Sequence, residues 1–213
     1  MTNKGKRRDL IEGLLGIIMG IGGLLLIAYF IWGHVSGLGS PIIDSAPTLA
    51  QEPIELWDAH EQAQEAAWAE AGDAQLVSAS TQWQTVNEET LLAGADDWSF
   101  VFYSPEKETA LDVVVSGDAA RVVNQTRVWV APQTMTEGNW RAGPRDALLT
   151  FLAYGGRAFL GEHPQAVVDL RLGESDDAGP VWAIVALDAS DQSVFALLIE
   201  AETGQVISTA PQS

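Results

Sequence analysis

The chain has 213 residues, no cysteine, and 11 basic against 29 acidic side chains. That length holds one medium domain or two small ones, and the missing thiols exclude a disulfide framework, a thiolate zinc site and a lipid-bearing N-terminal cysteine. Lys4, Lys6, Arg7 and Arg8 are four of the cations, and Asp9 and Glu12 two of the anions; the remainder is 7 against 27, a formal charge of −20. A surface of that sign repels phosphate backbones and excludes a nucleic-acid partner.

Residues 1–9 read as a cytoplasmic basic tail. Leu10 to Trp32 is apolar apart from Glu12; as a helix it measures about 34 Å, enough for a hydrocarbon core of about 30 Å. A transmembrane helix is expected over 10–33. Four cations precede it and none follows until Lys107, so the positive-inside bias puts the N-terminus in the cytoplasm and the acidic remainder outside. A cleaved signal peptide is the competing reading, but its apolar region runs only about 7–15 residues. Gly16 and Gly20 form a GxxxG pattern that would let a second membrane helix approach closely.

Residues 34–53, rich in Gly, Ser and Pro, read as a linker. Beyond it one pattern occurs twice. The stretch from Trp98, "WSFVFYSPEKETALDVVVSGDAARVV", aligns without gaps on "WAIVALDASDQSVFALLIEAETGQVI" from Trp182, at a constant offset of 84 residues. Each copy alternates apolar and polar residues, turns, and repeats the alternation, which predicts a strand, a hairpin, a second strand and a short third one. Upstream of each lies a helix candidate followed by another strand. The first, "IELWDAHEQAQEAAWAEAG", ends at Gly72 and offers Leu56, Ala59, Ala63, Ala66 and Ala67 as an inner face. The second, "GPRDALLTFLAYGGRAFLGEHP", starts with Pro144 and is interrupted at Gly155-Gly156. Glu202-Thr203-Gly204 falls between strands, where Gly supplies a positive φ without steric cost, so a turn is expected there rather than chemistry.

The ending "LLIEAETGQVIS", with "VWAIVAL" before it, resembles the PepSY family. The likeness covers Asp146–Ser208, and Leu56–Val123 only through the repeat; Glu200 stands where the family usually has Asp. The resemblance implies small extracytoplasmic domains, each a helix before an antiparallel sheet, found in peptidase pro-regions and in membrane-anchored envelope proteins. It brings no catalytic residues. The expected fold class is therefore α+β: one N-terminal transmembrane helix, then two PepSY-like repeats, 54–130 and 143–209, joined by a connector at 131–142, each repeat a helix packed on an antiparallel sheet.

No catalytic, cofactor-binding or metal-binding residue is assigned. His34 sits at the membrane exit, His60 on an exposed-looking helix among Glu and Gln, and His163 before Pro164 in a loop; no HExxH or other paired ligand motif occurs. Asp96-Asp97 and Gly173–Gly179 are acidic loops without the alternating spacing of a calcium loop, and read as solvated turns. Seven of the eight tryptophans lie outside the apolar segment. Trp98 and Trp182 occupy equivalent strand positions and read as core. Trp57 and Trp68, three helical turns apart, are the candidate partner-binding residues, with packing against the second copy as the plainer account. These features lead to a non-enzymatic, single-pass membrane protein whose acidic extracytoplasmic region binds or regulates an envelope protein, a peptidase being the class the resemblance implies. The alternative is a sensory or assembly subunit that uses Gly16 and Gly20 for helix pairing.

Overall fold

The computed structural model describes residues 54–212 apart from 85, 137 and 139. The elements in chain order are α1 (Leu56–Glu70), β1 (Gln75–Trp83), α2 (Glu88–Ala93), β2 (Asp97–Ser104), β3 (Thr109–Ser116), β4 (Ala119–Arg127), α3 (Pro144–Phe151), a π turn (Leu152–Gly156), α4 (Arg157–Glu162), β5 (Val167–Ser175), β6 (Gly179–Asp188), β7 (Ser193–Glu200) and β8 (Val206–Gln212). All eight strands form one antiparallel sheet in the order β4-β3-β2-β1-β5-β6-β7-β8.

Alternation of side chains decides which face is covered. Trp98, Phe100 and Phe102 on β2 and Leu111, Val113 and Val115 on β3 are buried, as are Trp182, Ile184 and Ala186 on β6 and Leu197 and Ile199 on β7. The registers of these hairpins are related by the offset of 84: Trp98 faces Val115 and Phe100 faces Val113, while Trp182 faces Ile199 and Ile184 faces Leu197. Each buried indole also ties its strand to the segment that leads into a helix. Trp98 Nε1 donates to Ile54 O at 3.1 Å, just before α1, and Trp182 Nε1 donates to Ala142 O at 2.8 Å, just before α3. Both rings thus bury a large apolar surface and leave no orphaned N–H.

α1 buries Leu56, Ala59, His60, Ala63 and Ala67, a helical stripe whose small side chains let the backbone lie close to β2, β3 and β4. α2 is a single short helix set by Asn87: Thr90 N donates to Asn87 Oδ1 at 2.8 Å and Asn87 N to Thr90 Oγ1 at 3.1 Å, a reciprocal cap. Between α3 and α4 the ladder breaks at Gly155, whose φ of 125° only glycine adopts readily. The turn at the chain's end is structural. Gly204 has φ 74°, its N–H donates to Glu200 O at 2.8 Å, and Thr203 Oγ1 donates to the Glu200 carboxylate.

The expected fold class is corrected by this architecture. The described residues do not form two repeats, each a helix on its own antiparallel sheet; they form one mostly antiparallel sheet of eight strands with few helices. The physical reason is the strand edge. A four-stranded half would leave β1 or β5 with a row of unpaired backbone groups and too small a core. Pairing β1 with β5, Ser80 opposite Arg171, closes both edges at once. Helical cover is also unequal, since one half has a 15-residue helix and the other two short pieces around the π turn. Among the described residues no helix is long and apolar enough to cross a membrane; the segment 10–33 lies outside them. A second correction concerns His60, expected on an exposed helix face. It is buried, with its ring near Phe100, Phe102 and Trp140 at centroid distances of 6.0, 6.2 and 5.8 Å.

Candidate functional site

Gly16 and Gly20 lie outside the described residues. Trp57 and Trp68 both stand on α1, and each keeps about half of its surface in solvent, at 48% and 49% exposed. The other half is held in place. The Trp57 ring lies 4.7 Å from that of the buried Trp140, and Trp68 Nε1 donates to Ala74 O at 3.0 Å. Between the two indoles runs an exposed acidic row, Asp58, Glu61 and Glu65, and α1 contains no Lys or Arg to neutralise it. A shallow groove of about 360 Å³, lined by Gln62, Glu65, Ala66, Asp118 and Ala120, runs beside this row. Of the other tryptophans, Trp83 is anchored through Nε1 to Gly94 O, whereas Trp129 is 85% exposed beyond β4, with the Arg127 guanidinium 5.0 Å from its ring centre.

The acidic loops do not gather into a site. Asp97 begins β2, and burial followed by the neighbouring Asp96 raises its carboxyl above the ordinary range. Glu174 and Ser175 belong to β5, and Asp176 accepts from Gln133.

Two corners of the fold, by contrast, concentrate polar groups where a helix–strand loop meets a hairpin turn. In the first half, Asp73 Oδ1 accepts from Ser104 Oγ at 2.6 Å and Oδ2 from Glu106 N at 2.7 Å. These bonds, led by the one from Ser104, hold the Asp73 carboxyl below its ordinary value. A carboxyl depressed by folding contributes stability above its unfolded value, about 3.9, and loses it as pH falls through the folded one. Ser104→Ala should therefore lower the urea midpoint most at neutral pH, with the deficit shrinking below about pH 4; an equal deficit at pH 7 and pH 3 would refute this account.

In the second half, 84 residues after Ser104, stands Asp188, 5% exposed at the end of β6. Its Oδ2 lies 3.3 Å from His163 Nδ1, and Asp191 Oδ2 lies 3.4 Å from the same nitrogen. The three ligand-type atoms are within 4.8 Å of one another. Hydrogen bonds from Ser190, then His163, hold the Asp188 carboxyl below its ordinary value. No spacing in the sequence announces this cluster, because His163 is 25 positions from Asp188. The β5–β6 register reveals it: Val167 faces Leu187, so the loop before β5 arrives beside the turn after β6.

No protein-family model matches the chain, and no curated protein sequence matches it. Among solved structures, a candidate lipoprotein from Clostridium difficile 630 is similar over 78% of this chain and 97% of its own, at 10% identity and a TM-score of 0.47.

Proposed function

We propose that this protein is a non-enzymatic binding protein of the cell envelope, held at the membrane by its apolar segment 10–33 with residues 54–212 on the outer side, and that α1 is its binding face. The observation that carries the reading is the outer surface of α1: two half-exposed tryptophans flanking an acidic row on a helix that has no Lys or Arg of its own. Exposed indoles already fixed by Trp140 and Ala74 O give up little rotamer freedom on binding, and Trp is enriched among residues that dominate interfaces. The partner that fits is a protein with a basic surface and two apolar pockets about 16 Å apart, the axial spacing of residues 11 apart on a helix. An envelope peptidase is the partner class that the family resemblance implies. The charge of the outer part would steer a basic partner toward α1 and make association salt-dependent.

A photo-crosslinking residue placed at Trp57 or Trp68 in the full-length protein in cells should capture one protein, with a yield that Glu61→Lys and Glu65→Lys together abolish while folding is kept. Failure to capture any protein at both positions, or capture that ignores the charge reversal, would sink the proposal.

A further inference from the structure

The cluster at the β6–β7 turn brings one imidazole and two carboxylates within 4.8 Å of one another. His163 follows α4, its N–H donating to Phe159 O at 2.8 Å and its ring packed on Phe159 at a centroid distance of 4.4 Å, so the imidazole is fixed in place. Each carboxylate is oriented through one oxygen and presents the other. Asp188 Oδ1 accepts from Ser190 N at 2.9 Å and Ser190 Oγ at 2.6 Å; Asp191 Oδ1 accepts from Ser193 N at 2.9 Å. Both Oδ2 atoms are left facing His163 Nδ1. Outer-shell bonds of this kind are what hold metal ligands in register.

The distances that let His163 bond weakly to both carboxylates also suit coordination of one ion by all three side chains. A strong charge-assisted N–H···O⁻ bond settles at about 2.7–2.9 Å, and a single N–H shared between two carboxylates serves each of them weakly. Ligand atoms about 2.0–2.1 Å from a tetrahedral zinc ion lie about 3.3–3.4 Å from each other; the two nitrogen–oxygen edges here measure 3.3 and 3.4 Å, and the edge between the carboxylates is within 4.8 Å. The corner in the other half sharpens the contrast. There a single carboxylate, Asp73, meets two hydrogen-bond donors and is satisfied; here two carboxylates converge on one imidazole nitrogen. Imidazole with carboxylate suits zinc and its neighbours, whereas calcium and magnesium prefer all-oxygen sets.

We propose that His163 Nδ1, Asp188 Oδ2 and Asp191 Oδ2 bind a divalent transition-metal ion of the zinc class, with the remaining position open to solvent beside Asp191, whose side chain is 51% exposed. The ion pins the end of α4 to the β6–β7 turn. The full-length protein, purified in detergent and stripped with chelator, should bind one equivalent of zinc chloride in calorimetry, bind calcium chloride at least about tenfold more weakly, and melt at a higher temperature with zinc. Asp191→Asn, at a half-exposed position, and His163→Gln should each weaken zinc binding at least about tenfold while leaving the far-ultraviolet circular dichroism unchanged. Absence of saturable zinc binding, equal affinity for calcium, or zinc binding that both variants leave intact would overturn the assignment.

Discussion

Trp182→Ala is expected to destabilise the domain by about 3–5 kcal/mol, the range for deleting a fully buried aromatic ring. The ring is wholly enclosed beneath the sheet, and its N–H is the bond that moors β6 to Ala142 ahead of α3. Truncation opens a cavity and also leaves the Ala142 carbonyl without that donor. Trp182→Phe separates the two effects, since it keeps much of the volume and loses the N–H; it should cost less than half as much. Urea unfolding at neutral pH measures both. Equal costs for the two variants would mean that the hydrogen bond, rather than the packing, holds this corner.

Gly156→Ala comes second, and its sign depends on two opposing magnitudes. Gly156 has helical backbone angles, so propensity alone would favour Ala by about 1 kcal/mol. A Cβ there, however, would fall 2.4–2.6 Å from the Phe151 ring, which is completely buried and cannot step aside. Overpacking of that kind costs about 1–3 kcal/mol or more, so net destabilisation is expected. Gly161→Ala is the matched control within α4, because nothing lies within 4 Å of its would-be Cβ; it should be neutral or stabilising. A stabilised Gly156→Ala would show that Phe151 has room to repack.

Much of the local structure is legible in the sequence because it is written in short periods. The alternation through Trp98–Phe102 and Trp182–Ala186 marks the strands, and the constant offset carries over into the hairpin registers. The alanine stripe of α1 is legible for the same reason, with Ala66 only partly buried. What escapes is whatever depends on distant partners. Nothing near Ser78–Trp83 says that β5, some ninety residues on, lies beside it, so one sheet reads as two. His60 is hidden by the polar residues around it; the helical stripe Leu56, Ala59, Ala63 places position 60 inward, and composition misleads where period does not. α2 is too short for a periodic signal and exists through its Asn87–Thr90 cap. The His163 cluster is assembled from a helix end and a hairpin turn. Such a constellation belongs to the register, which the sequence expresses only when read as paired strands.

The central seam has a consequence for how the chain folds. Hairpins β2–β3 and β6–β7 close over short loops, whereas β1 meets β5 only after a long stretch of polypeptide has been ordered, and late closure of this kind is slow. During synthesis the N-terminal half emerges first and presents β1 as a bare edge. Any β5 that reaches it will zip on, whether from the same molecule or from a neighbour. Crowded nascent chains are therefore expected to yield intertwined pairs that trade C-terminal halves, and dilution during refolding should restore the self-closed form.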